Sequence, residues 1–106
     1  MTRNDTKAVM ELLSPAARYG QLAEECAELA QVALKLQRLA MKENPPRKLW
    51  VQLKEEFTEE VADVLNALSV AEYQPRQADI MAVRKMKMAR WAASIANARM
   101  EEGNDG

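Results

Sequence analysis

The sequence predicts an all-α protein with three long helices and a short N-terminal helix. Ala, Leu, Met and charged residues dominate the 106 residues, while aromatic residues make up only 5%, a composition typical of helical proteins. Apolar residues recur every three to four positions, which is the period of an amphipathic helix. Prolines stand at the edges of these periodic segments, where they end or begin helices.

The first two helices are bounded by capping residues. Asp5 or Thr6 is expected to cap a short helix over "KAVMELL" that ends near Ser14. Ser14 followed by Pro15 is a typical N-cap with proline in the first turn. A long helix is therefore expected from Pro15 to about residue 42.

Two further long helices follow. "KENPPRK" predicts a loop, the next helix is expected from about Pro46 to Tyr73, and "YQPRQ" predicts a turn. The last helix is expected to begin near Pro75 and to fray in "EEGNDG". We expect one domain over residues 1–106, with mobile tails at residues 1–5 and 102–106.

Composition also limits the partners and the compartment. The net charge of −1 gives no basic excess for nucleic acid or anionic membrane. No apolar run approaches the roughly 20 residues that span a bilayer, and the polar start "MTRNDT" is unlike a signal peptide. The single cysteine fits a reducing compartment. We therefore expect a cytoplasmic protein that binds neither nucleic acid nor membrane.

Helices of this length predict self-association. A helix of about 27 residues is roughly 40 Å long, and three such helices from so small a chain bury little surface. A homodimer, or a dimer of dimers, would complete a helical bundle.

A glutamate interrupts the apolar stripe of each of the first two long helices. Glu25 takes a position in the stripe formed by Leu22, Leu29, Val32, Leu36 and Leu39. Glu60 takes the equivalent position in the stripe formed by Leu53, Phe57, Val64, Ala67 and Ala71. Both carboxylates are therefore expected in the seam between the two helices.

Each seam glutamate has a second acid three residues later, Glu28 after Glu25 and Asp63 after Glu60. Residues i and i+3 are neighbours on a helix surface, so the four acids can converge. Several carboxylates in a partly dry groove require a compensating cation. Oxygen-only ligands favour Mg²⁺, with Mn²⁺ as a possible substitute.

One other interpretation of the seam acids remains open, and a second is disfavoured. The acids can instead form ion pairs with Lys35, Arg38 or Lys54, which would suit a non-catalytic dimeric helical module that binds another protein. A di-iron bundle requires Glu-x-x-His on two helices, and the chain has no histidine.

Two motifs resemble those of a known enzyme family. "EECAEL" (residues 24–29) and "EEVADVL" (residues 59–65) resemble the paired ExxE and ExxD motifs of the all-α nucleoside triphosphate pyrophosphatases, the MazG-like superfamily. The similarity extends from about Gln21 to Trp91. The chain looks most like the short single-domain members of bacteria and phages.

The resemblance implies a magnesium-dependent hydrolase. Glu25, Glu28, Glu60 and Asp63 would hold Mg²⁺, and a nucleoside triphosphate would be cleaved at the α-phosphorus to a monophosphate and pyrophosphate. Glu24 or Glu28 would take the proton from the attacking water. A nucleotide-pool or house-cleaning role would follow. Phosphoribosyl-ATP hydrolysis, which shares the acidic pattern, is an alternative.

Candidate substrate contacts lie mainly in the last helix. "KMARW" (residues 87–91) looks like the family's basic phosphate-contacting segment, which makes Lys87 the first candidate, followed by Arg84 and Arg90. Asn66, one turn after Asp63, could hydrogen-bond the sugar or base. The Lys-x-x-x-Asn pattern of some dimeric relatives has no counterpart here, and basic side chains on a terminal helix are commonly solvated.

Overall fold

A computed structural model describes residues 4–104; residues 1–3 and 105–106 lie outside the described part. The chain is 82% helix without strands in the described part. Its four helices are α1 (Asp5–Leu12), α2 (Pro15–Met41), α3 (Trp50–Ser69) and α4 (Gln77–Asn104). The predicted all-α class, with one short and three long helices, is confirmed.

The caps explain where α1 and α2 begin. Ser14 caps α2 as predicted, since its Oγ accepts a hydrogen bond from the backbone N–H of Ala17 at 3.1 Å. For α1 the predicted cap was wrong by one residue or two. Asn4 is the N-cap, with its Oδ1 accepting from the N–H of Lys7 at 3.0 Å, so Asp5 and Thr6 lie inside the helix.

Helix α3 is shorter at both ends than the sequence predicts. Its predicted start at Pro46 was wrong because the chain turns through left-handed backbone at Lys42 (φ 59°) and Asn44 (φ 42°) and stays non-helical until Leu49. The N–H of Leu49 then donates to Oε1 of Gln52 at 2.9 Å. The segment after Ser69 leaves the helix, although the prediction continued it to residue 73.

A glutamine satisfies the carbonyl groups at the end of α3. Nε2 of Gln74 donates to the carbonyl oxygens of Leu68 and Ala71 at 2.8 and 2.7 Å. Carbonyls in the last turn of a helix have no partner within the helix. This side chain therefore closes the turn after Ser69, in addition to the hydrogen bond of 3.2 Å from the N–H of Ala71 to the carbonyl oxygen of Leu68.

The chain divides into two compact units between Gln74 and Pro75. In the first unit, α2 and α3 pack together as a helical hairpin. Its buried apolar residues are Val32, Leu53, Ala67, Val70 and Ala71. Four of these belong to the predicted stripes. Phe57, also predicted in a stripe, is 39% exposed.

Two hydrogen bonds join the start of α2 to the segment after α3. The buried side chain of Arg18 donates from Nη1 to the carbonyl oxygen of Val70 at 2.6 Å. One residue later, the hydroxyl of Tyr19 accepts from the N–H of Tyr73 at 3.0 Å. These bonds fix the end of the hairpin opposite the loop over residues 42–49.

The second unit contains α4. Its beginning carries an ion pair in which Nε of Arg76 lies 2.9 Å from Oδ2 of Asp79. Residues 102–104 of the predicted mobile tail belong to this helix, whereas residues 105–106 lie outside the described part. None of the helices in residues 4–104 combines the length and apolar character needed to cross a membrane.

Candidate metal centre on the α2–α3 hairpin

Four carboxylates meet between the two helices of the hairpin. One carboxylate oxygen from each of Glu25, Glu28, Glu60 and Asp63 lies within 4.8 Å of the others. Each helix supplies two acids spaced by three residues, so both project from one side of their helix. The structure thus brings together the four residues that the sequence singled out as candidate metal ligands.

Two of these carboxylates have an oxygen without a partner. Oε2 of Glu25 and Oε2 of Glu60 are buried and accept no hydrogen bond, and both residues are half-buried. Removing a carboxylate oxygen from water without a compensating partner is costly. A bound cation would remove this cost.

The other oxygen of Glu25 is held by a neighbouring amide. Nε2 of Gln21 donates to Oε1 of Glu25 at 2.6 Å. The bond spans one helical turn, so it fixes the carboxylate relative to α2 and leaves Oε2 as its free oxygen. Gln21 was missed by the sequence analysis, although its i,i+4 spacing to Glu25 was a readable signal.

The acids repel one another. The negative charge of Glu25 raises the pKa of Glu28, and partial burial and the charges of Glu60 and Glu24 raise it further. A raised pKa means that the ionised form of Glu28 is disfavoured where it lies. The cluster therefore has an excess of negative charge that a cation can neutralise.

Two of the three basic residues that could have paired with the cluster contact other groups. Nε of Arg38 donates to the carbonyl oxygen of Asn44 at 3.2 Å, and Nζ of Lys54 lies 5.5 Å from the ring centre of Trp50. The charge of Lys35 acts on Glu56, whose pKa it helps to lower. Within residues 4–104, none of the four clustered acids forms an ion pair with Lys or Arg.

Glu24 and Glu56 lie outside the group of four. Glu24 is exposed and exerts the smallest of the effects on the pKa of Glu28. Glu56 forms an ion pair with Nζ of Lys48. This hydrogen bond is the main reason that the pKa of Glu56 is lowered.

A cleft adjoins the carboxylate cluster. It has a volume of about 440 Å³, and its walls include Thr6 and Val9 of α1, Gln21 and Glu25 of α2, and Asp63 and Asn66 of α3. The candidate substrate residue Asn66 therefore shares a cleft with two of the four clustered acids. The short helix α1, to which the sequence analysis gave no role, forms one wall.

The candidate phosphate-binding residues lie on α4 in the second unit. The side chains of Arg84, Lys87 and Arg90 are exposed there, and no ion pair is found for them among the described residues. Trp91, four residues after Lys87, is 63% exposed. This part of α4 thus presents both cationic and aromatic groups.

The donor set fits a hard divalent cation. All four ligands are carboxylates, and Mg²⁺ and Mn²⁺ prefer oxygen donors. The unpartnered oxygens of Glu25 and Glu60 are the groups that such an ion would satisfy. No protein-family model, curated protein or solved structure shows significant similarity to this chain.

Proposed function

We propose that this protein is a Mg²⁺-dependent nucleoside triphosphate pyrophosphohydrolase of the MazG-like all-α type. The observation that carries the proposal is the convergence of Glu25, Glu28, Glu60 and Asp63 within 4.8 Å. These are the positions at which the sequence resembles the family's ExxE and ExxD motifs. Mn²⁺ is a possible substitute for Mg²⁺.

The four clustered acids lack ion pairs with Lys or Arg among residues 4–104, which favours a metal site over a set of stabilising ion pairs. Acids kept for stability would be paired with Lys35, Arg38 or Lys54, and in that part of the chain none of the four forms an ion pair with these residues. Leaving carboxylates unpaired and mutually repelling costs stability. Functional sites are where such arrangements are concentrated.

The chemistry divides between the cation and the protein. Glu25, Glu28, Glu60 and Asp63 would hold Mg²⁺, which would neutralise charge on the phosphate oxygens and lower the pKa of a bound water. In the reaction, water attacks the α-phosphorus, the bond from that phosphorus to the bridging oxygen breaks, and pyrophosphate leaves. A carboxylate oxygen of Glu24 or Glu28 accepts the proton of the attacking water.

The basic face of α4 is the candidate source of positive charge. Lys87 is the first choice for contacting the triphosphate, with Arg84 and Arg90 as further candidates. Their exposure and lack of ion pairs among residues 4–104 leave them available to an anion. Asn66, beside Asp63 in the cleft, is the candidate for contacting the sugar or base.

We further propose that the active form is a homodimer or a dimer of dimers in the cytoplasm. Large apolar side chains of the hairpin helices stay exposed, among them Leu34 (54%), Leu65 (60%) and Leu68 (46%). A second copy of the chain would cover such residues and extend the hairpin into a bundle. Sedimentation at micromolar concentration should therefore show at least a dimer.

The decisive experiment is a product assay over common and damaged nucleoside triphosphates. Phosphate release should require Mg²⁺ and should also require added inorganic pyrophosphatase, because the first products are a monophosphate and pyrophosphate. Orthophosphate and a diphosphate formed without pyrophosphatase would contradict the assigned bond cleavage. Turnover of phosphoribosyl-ATP alone would favour the alternative substrate.

A further inference from the structure

The cleft beside the carboxylate cluster has the properties of a nucleoside-binding site. Its volume of about 440 Å³ lies within the range of roughly 300–1,000 Å³ found for small-molecule sites. It reaches Glu25 and Asp63 at the cluster and Val9 at α1. A ligand in this cleft would therefore lie next to a cation held by the four carboxylates.

The residues that line the cleft favour the nucleoside of a nucleotide over its phosphates. The carboxylates of Glu25 and Asp63 repel phosphate oxygens that are not themselves bound to a cation. The remaining walls carry a third carboxylate at Asp5, the hydroxyls of Thr6 and Ser69, amides such as those of Gln21 and Asn66, and aliphatic groups such as Val9. Amides exchange hydrogen bonds with base edges and sugar hydroxyls, and aliphatic groups pack against the faces of a base.

We infer that the cleft between α1 and the α2–α3 hairpin binds the nucleoside half of the substrate, with Val9 packing on the base or sugar and Asn66 hydrogen-bonding it. The inference rests on the proposed function. The α-phosphorus is the only phosphorus bonded to the nucleoside. A nucleoside in this cleft therefore holds the α-phosphoryl group next to the carboxylates, and the β- and γ-phosphates extend away from the cleft.

Calorimetry with two probes separates nucleoside binding from phosphate binding. The first probe is the tightest-binding of the α,β-methylene analogues of ATP, GTP, CTP, UTP and TTP, which resist cleavage at the α–β bridge. The second is inorganic tripolyphosphate, which has no nucleoside. Both are titrated with Mg²⁺ into the full-length protein. The wild type should bind the analogue more tightly than tripolyphosphate.

The second step of the test fills the cleft with a larger side chain on α1. Val9→Trp should weaken binding of the analogue by at least about 10-fold, because the indole takes the space of the base or sugar, and should change tripolyphosphate binding by less than about twofold. Met10→Trp is the matched control, since Met10 is on the same helix, is 41% exposed and does not line the cleft. It should change neither affinity.

Asn66→Leu provides a second test that leaves α1 intact. Asn66 is exposed, and leucine has about the same size. Asn66→Leu should weaken binding of the analogue and leave binding of tripolyphosphate unchanged. Equal affinity of wild type for the two probes, or equal losses for both probes in Val9→Trp and Asn66→Leu, would overturn the nucleoside site while leaving the proposed hydrolase standing. Wild-type protein that binds neither probe with Mg²⁺ would overturn both.

Discussion

Two carboxylate environments on the same hairpin differ in the sign of their pKa shifts. Glu56 is paired with Lys48, and its pKa is lowered. Glu28 lies among other acids, and its pKa is raised, mainly by Glu25. A paired carboxylate stabilises the fold in its ionised form, whereas a crowded one opposes its own ionisation. The difference separates an acid that is paired within the structure from acids that, under the proposed function, a bound cation would neutralise.

The two environments occur at neighbouring positions of α3. Glu56 and Glu60 are one helical turn apart, and each has a buried oxygen without a hydrogen-bond partner. Glu56 nevertheless has a lysine on its other oxygen, whereas Glu60 faces the carboxylates of α2. Substitutions at the two kinds of position should therefore have different effects.

The largest expected effect is on turnover. Asp63→Asn keeps the size of the side chain but removes one negative charge from the cluster. We expect kcat to fall at least about 100-fold, roughly 2.7 kcal/mol of lost transition-state stabilisation. Steady-state kinetics with the best substrate measures this. Glu59→Gln, an exposed acid on the same helix outside the cluster, is the control and should retain turnover within a few-fold.

The next effect concerns stability with and without metal. Mg²⁺ that binds only the folded state should raise the Tm of the wild type, by about 2.7 kcal/mol of added stability at 100 times the Kd. Glu25→Gln should abolish this rise while leaving the metal-free protein at least as stable, because a repelling charge is removed. Scanning calorimetry provides the measurement.

The paired acid gives the control for that experiment. Glu56→Gln should keep the Mg²⁺-dependent rise in Tm, because Glu56 lies outside the cluster. Metal-free Glu25→Gln protein that unfolds more readily than the wild type would mean that Glu25 stabilises the fold through a partner, and the contrast between the two environments would fail.

A smaller effect is expected at the amide that holds Glu25. Gln21→Met removes the hydrogen bond to Oε1 but keeps the length of the side chain, so the free oxygen is no longer fixed. We expect Mg²⁺ affinity by calorimetry to fall roughly 10-fold, as for other residues that orient a metal ligand. Gln31→Met, at an exposed position on the same helix, should leave it unchanged, and equal affinities in all three proteins would exclude an orienting role.

The smallest effect is expected at the ion pair. The lowered pKa of Glu56 gives stability that is present above its ordinary pKa of 4.5 and is lost as the pH falls through the lowered value. Lys48→Met should therefore be less stable than the wild type near neutral pH, and the difference should vanish in acid. Urea unfolding at a series of pH values checks this. A difference that persists in acid would point to lost packing instead.

The sequence predicts much of the hairpin because periodicity is a local property. The four helices, the Ser14 cap and the pairing of Glu25 and Glu28 with Glu60 and Asp63 could all be read from spacing along one helix or the next. The start of α3 could not, because the left-handed turn at Lys42 and Asn44 and the side chain of Gln52 decide it.

The cleft could not be predicted from the sequence for a related reason. It depends on how α1 lies against residues more than fifty positions away, such as Asn66, and the period of apolar residues does not report such placement. The burial of Arg18 could not be predicted either. Its partner is the backbone carbonyl oxygen of Val70, and every residue has such a group, so the sequence does not single it out.

The bonds from Arg18 and Tyr19 also bear on how the hairpin opens. They join residues 52 and 54 positions apart, so they form only after the loop between the helices has closed. A hairpin without them would fray from its open end, exposing the backbone of α3 to solvent exchange. With them, the amide hydrogen of Tyr73 should exchange with deuterium almost as slowly as those of the central turns. Opening of this end then requires breaking both bonds, so Val70 at the edge of the cleft should be released less often than the end of a hairpin without them.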